Sequence, residues 1–160
     1  EIAKRAGVST GIVYGYFQDK RDILICVLKI YIEQVSLPLI DIMQKAKGNV
    51  DFASLAESII DKTIELHEQY AKLHNTLHSL AATDELVNAE FIKLENNITE
   101  QVTEQLRELG VQAESLAERV HMGMNIIQSF SHEYVFDNHS YLNYPAMKRI
   151  VRDLLVKLIK

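Results

Sequence analysis

Apolar residues return every three or four positions along most of this chain, and that period admits helices and little else. Ile23, Val27, Ile30, Tyr31 and Val35 open the pattern. Leu55, Ile59, Thr63 and Leu66 carry it on one face, widened by Ile60 and Ile64. Leu94, Ile98, Val102, Leu106 and Leu109 repeat it, and Met147, Ile150, Val151, Leu154, Leu155, Leu158 and Ile159 close it. No segment alternates apolar and polar residues as a half-buried strand would. Six glycines and two prolines in 160 residues leave little material for turns, so the elements should be few and long. The expected fold class is all-α.

Punctuation residues divide the pattern. Glu1–Ala6 reads as a helix end stopped by Gly7, and Ser9 is placed to cap a short helix over Thr10–Phe17. Asp19 should cap the next helix, with Asp22 three residues on in a near-capping-box arrangement. Pro38 is expected to kink or shorten that helix. "KGNVD" is a turn before a helix begun by Asp51, and a helix, a bend and a second short helix follow around "HEQYAKLHNTLHSLAATDE". Asp84 should cap a long helix stopped at Gly110, and Pro145 opens the last one.

The formal net charge of −5 is unevenly spread. Residues 1–47 hold seven Lys/Arg against five acids, whereas the remainder holds ten against seventeen. An anionic partner would therefore meet the N-terminal part. The single cysteine, Cys26, excludes an internal disulfide framework and suits a reducing compartment, where it should serve as a small buried thiol. No run approaches the roughly 18 consecutive apolar residues of a membrane span. No membrane partner is expected, and the cytoplasm is the default location.

The most specific stretch is "AGVSTGIVYGYFQDKRDIL", Ala6 to Leu24. A helix, the turn "GVS" and a short helix beginning "TGIVYGYF" have the length and punctuation of a helix-turn-helix. Gly7 supplies the positive φ that the tight reversal needs, and Val8 is expected to plug the gap between the helices. Val13 and Phe17, four apart, pack inward, while Thr10, Gly11, Tyr14 and Gly15 face away. Such an outward face suits a groove, where Thr meets base edges and Tyr hydroxyls meet phosphate oxygens.

Over Ile2 to Leu24, "IAKRAGVS", "TGIVYGYF" and the Lys-bearing cap before an apolar helix resemble the DNA-binding core of the TetR family of bacterial transcriptional regulators. The resemblance implies that Thr10, Gly11, Ile12, Tyr14, Gly15 and Tyr16 lie on or beside a recognition helix in the major groove of double-stranded operator DNA. It implies phosphate contacts from Tyr14, Tyr16 and Lys20, the last helped by its helix N-terminus. Gly15 stands where many relatives carry a larger or basic side chain. The chain opens at Glu1, within what reads as a helix. The family's first helix and the start of its second are therefore expected to be missing, and without them DNA binding should be poor. The expected division is a partial DNA-binding domain over 1–24 and a helical effector-binding and dimerisation domain over 25–160.

In that family, ligand pockets form inside the larger bundle and binding changes the separation of two DNA-reading heads. The implied effector-binding candidates are Thr63, His67, Tyr70, His74, Asn97, Met122, Asn125, Ile126 and Phe130. For a homodimer, the penultimate helix offers Leu116, Val120, Gly123, Met124 and Ile127, and the last helix offers Ile150, Leu154 and Leu158. Two helices from each subunit would form a four-helix interface of two-fold symmetry, predicting a palindromic operator.

His74 and His78 are four apart, and His67 lies seven residues before His74. This spacing can bind zinc, but no nearby carboxylate or cysteine completes a set, so no metal is expected. No cofactor is expected either. Phosphate-loop glycines, a nucleophile in a recognisable turn and an apolar acid pair are all missing, which argues against an enzyme, and Glu100, Glu104 and Glu108 read as a solvated stripe. The expected function is a ligand-responsive DNA-binding regulator, a repressor released from its operator by a small molecule. The alternative is an all-α dimeric ligand-binding or interaction module with no DNA role.

Overall fold

The computed structural model describes residues 1–160 and contains only helices joined by short connections. Helix α1 covers Ile2–Arg5 and α2 covers Thr10–Tyr16. The long α3, Lys20–Lys45, leads into α4 (Phe52–Gln69), α5 (Ala71–Ala81) and α6 (Glu85–Glu108). Helix α7 spans Leu116–His132 and runs into a π-helical turn at Glu133–Asp137, and α8 spans Tyr144–Leu158.

The caps at Ser9, Asp19, Asp51 and Asp84 act as their sequence suggests, and Asn143 adds one that was not expected. Each accepts a backbone N–H from the first turn of the following helix, which satisfies donors that have no intrahelical partner. Asp22 returns the favour at α3, its carboxylate accepting from the backbone N–H of Gln18 at 3.2 Å. The C-terminal stops of α1 and α6 are built alike. Gly7 (φ +68°) and Gly110 (φ +87°) take the left-handed conformation. The next residue's N–H then reaches back to the carbonyl of Ala3 or Leu106, at 3.0 Å in both cases. That is a Schellman closure. At α6 it also brings Val111 and Leu106 into the same buried cluster.

Three apolar clusters hold the bundle. Leu28, Tyr31, Ile32, Leu77, Val87 and Phe91 join α3, α5 and α6 at the end nearer α2. Met43, Leu106, Val111, Leu116 and Val120 close the far end, and Ile60, Ile64, Phe130, Tyr144 and Val151 join α4, α7 and α8. Lys148 and Arg152 of α8 pair with Glu57 and Asp61 of α4 across the outside.

Three expectations need correction. Of the two effects expected of Pro38, shortening does not occur, since α3 runs through it to Lys45. Burial of Ser36, Ile40 and Met43 on either side holds the helix against the loss of one backbone donor. The expected boundary at Leu24 accordingly falls inside one continuous helix. Second, α3 contains an 18-residue window of mean hydropathy 1.9, long and apolar enough by length and composition alone to cross a membrane. The core helix of a bundle meets the same test, and α3 here packs against α4 and α6. Third, Cys26 is only half-buried.

Candidate functional site

The first candidate surface is the helix-turn-helix. Ala3, Val13 and Phe17 are its only half-buried residues before the N-terminus of α3, and none is fully buried. Val13 and Phe17 thus face inward as their spacing predicts. Val8 stays 37% exposed and does not plug the gap, because α1 and α2 alone offer too little surface to cover it. Thr10, Gly11, Ile12, Tyr14, Gly15, Tyr16 and Lys20 all lie exposed on this segment. Tyr16 is the most open of the large side chains, at 81%. Nothing lies within 4 Å of where a Cβ would stand on Gly15, so packing does not require glycine there.

The second candidate is a cavity of about 170 Å³ running along the bundle. One wall is α3, from Tyr31 through Ser36 to Met43, and the opposite wall is α4, from His67 back to Phe52. Helix α6 contributes Ile98, Val102 and Leu106, while α7 and α8 complete the lining. The predicted face Leu55, Ile59, Thr63 and Leu66 borders it in full. The lining is mostly apolar; Tyr31, Thr63 and His67 lie at one end, and Arg119 lies at the other.

Of the nine effector-binding candidates, Thr63 and His67 border this cavity. Tyr70 and His74 pack just beyond it around Tyr31, at ring-centroid distances of 6.0 and 6.4 Å. Asn97, Met122 and Asn125 point to solvent, since their phase on α6 and α7 is opposite to the lining residues. Ile126 and Phe130 belong to the apolar cluster against α8. Sequence reasoning missed the contribution of α3, as well as Arg119 and Gln128 on α7. A serine at position 36, amid an apolar run, was the available signal.

The interface candidates divide in the same way. Leu116 and Val120 are buried in the chain's own core. Gly123 lets α8 come close, for a Cβ there would stand 3.2 Å from Leu155 Cδ2 and 3.6 Å from Leu158 Cδ1. Met124, Ile127 and Leu158 line the cavity. These α7 positions form one stripe, which the monomer already uses. Ile150 (59%) and Leu154 (42%) remain exposed one turn apart on α8, and Met122 is exposed on the neighbouring α7.

The histidines gather although α4 and α5 are separate helices. His67 and His74 ring centroids lie 4.4 Å apart, His74 and His78 4.3 Å, and His132 of α7 stands 5.9 Å from His74. Tyr31 and His74 share a 2.8 Å hydrogen bond between the hydroxyl and Nδ1. Burial pushes His74 down to about 3, with the neighbouring rings His67, His78 and His132 adding to the effect. Burial likewise lowers His67 and His78. Burial and nearby Tyr70 push Tyr31 up to about 12. The rings therefore pack as neutral groups. No three His, Cys, Asp or Glu side chains are arranged to hold a metal ion.

Head and bundle meet through α3. Arg21, in its first turn, pairs at 2.9 Å with Asp84, the N-cap of α6, and Lys29 lies 3.7 Å from Glu90. The backbone N–H of Val87 and the Arg21 guanidinium hold the Asp84 carboxyl below the usual carboxylate range.

Comparison with known proteins bears on the first of these surfaces. No curated protein matches the chain. The family model described as bacterial regulatory proteins, tetR family, matches residues 1–27. The match covers α1, the turn, α2 and the first turns of α3, the same residues that form the exposed helix-turn-helix. That match gives residues 1–27 as a TetR-family DNA-binding segment and supports a DNA-binding transcriptional regulator of TetR type.

Proposed function

We propose that this regulator is a homodimer whose hold on a palindromic operator is set by a small molecule in the bundle cavity, and that it acts as a repressor released by that molecule. The observation that carries this reading is the double role of α3, which walls the cavity from Tyr31 to Met43 and at its other end adjoins the helix-turn-helix. A ligand that prefers one position of α3 shifts the population of head positions by its differential affinity. Thr10, Gly11, Ile12 and Gly15 would approach base edges, and Tyr14, Tyr16 and Lys20 would meet phosphates. Met122, Ile150 and Leu154 would form the centre of the two-fold interface, since exposed apolar side chains on adjacent helices gain most from a matching partner. Such a protein works in the cytoplasm, where its operator is.

The test is selection of DNA from a random pool with the full-length gene product, followed by affinity measurements across salt concentrations. A palindrome with half-sites a whole number of helical turns apart is expected. Tyr14→Ala and Lys20→Ala should each weaken binding about tenfold, and Lys20→Ala should lower the salt slope by about one. Unchanged affinity and slope in both variants would refute the assigned contacts.

A further inference from the structure

Of the cavity's polar side chains, only His67 keeps a fully buried atom without a partner. Thr63 Oγ1 donates to the Ile59 carbonyl at 2.8 Å. Arg119, the cavity's only cation, donates from Nε to the Glu114 carbonyl at 2.8 Å and from Nη1 to the Leu158 carbonyl at 3.0 Å. Tyr31 is engaged with His74. His67 differs. Its Nδ1 lies 2.9 Å from the Thr63 carbonyl, which can only accept, so Nδ1 carries the ring proton. Nε2 then presents a bare lone pair, and it is buried without any partner. Gln128 stands close enough beside the ring to raise its affinity for a proton, yet it completes no hydrogen bond to the buried Nε2. Burial, with His132 nearby, keeps the ring neutral, so Nε2 remains an acceptor.

A buried acceptor with no donor is a standing cost, and a ligand donor that meets it recovers that cost. No acidic side chain lines the cavity, and its one cation is already committed to two carbonyls. An ionised ligand would therefore be desolvated without compensation. The volume is close to that of dry protein cavities that admit a single aromatic ring. We infer that the effector is an uncharged, mainly apolar molecule of about one ring in bulk, carrying one hydroxyl or N–H donor directed at His67 Nε2. Gln128, the one exposed polar residue of the lining, moves aside to admit that donor. This inference rests on the proposed reading of the cavity as the effector site.

A matched probe set separates the two. The full-length protein is titrated calorimetrically with propylbenzene, 4-propylphenol, 4-propylanisole and 4-propylbenzoate. The phenol should bind about tenfold tighter than the hydrocarbon or the ether, and the benzoate weakest. His67→Leu should erase the phenol's advantage while leaving propylbenzene affinity within about twofold, which also reports that the variant is folded. Equal binding of all four probes, tighter binding of the ether or benzoate, or a phenol preference that survives His67→Leu would overturn the donor assignment while the cavity stands. Failure of every probe to bind would overturn the cavity reading, and the inference with it.

Discussion

The head and the bundle are held by different means. From Glu1 to Asp19 no residue is buried, and the order comes from a glycine stop, a serine cap and an aspartate cap. The bundle contains every buried residue of the chain and all three apolar clusters. A surface for another macromolecule can be set by local rules, whereas a cavity needs a core around it to stay open. The contrast also predicts where stability resides. Amide exchange should be fast throughout α1 and α2 and slow in α4 and α6.

The strongest way to break the comparison is to attack the bundle core. Ile60 is fully buried between α4, α7 and α8. Ile60→Ala should cost about 2–5 kcal/mol in denaturant unfolding, with exchange in the head unchanged. A head whose exchange accelerates in step would show that the two parts unfold together.

Acid should discriminate between them as well. His67, His74 and His78 all have lowered affinity for protons in the folded bundle, and residues 1–19 contain no histidine. The unfolded chain binds more protons below its ordinary histidine value of 6.5, so stability is full above that pH. It should be lost as pH falls from 6.5 towards about 3, the value to which His74 is pushed. Melting temperatures across that range are the measurement, and replacing His74 by Phe should flatten the upper part of the decline.

A smaller effect is expected at the exposed face of α8. Ile150→Glu together with Leu154→Glu should convert the proposed dimer to monomers in sedimentation while helix content is kept, because neither side chain is buried in the chain itself. The smallest change lies in the head. Gly15→Ala meets nothing within 4 Å and should stabilise α2 by about 0.5–1 kcal/mol. If DNA affinity nevertheless falls, close approach of the backbone at Gly15 is the reason for the glycine.

Legibility followed the same division. Caps and stops were readable because each is a local event, and Ser9, Asp19, Asp51, Asp84 and Gly110 act where the sequence placed them. The helix-turn-helix was legible for the same reason. The faces of α7 were not. Leu116, Val120, Gly123, Met124 and Ile127 form an apolar stripe that would serve a partner chain or the chain's own core equally well, and only the position of α8 decides between them. Exposed apolar residues such as Ile150 gave no signal distinguishing them from Val151 one position on. The cavity was half legible. Thr63 and His67 stood out as polar residues in an apolar face, but the contribution of α3 depended on how two helices far apart in sequence lie together.

The unbroken passage of α3 through Pro38 has a mechanical consequence. At 1.5 Å per residue, Lys20 lies about 35 Å from Met43 along the axis, and Ser36 lies about 10 Å from it. Met43 is anchored in the far cluster, whereas Ser36 borders the cavity. If the helix turns as a rigid rod about Met43, a 1 Å displacement at Ser36 becomes about 3.5 Å at Lys20. A helix that ended at Pro38 would have split that rod and left its two parts to move independently. As one rod, α3 multiplies displacement roughly threefold at the DNA-reading end, provided the α3 contacts of Leu28, Tyr31 and Ile32 with α5 and α6 move with it.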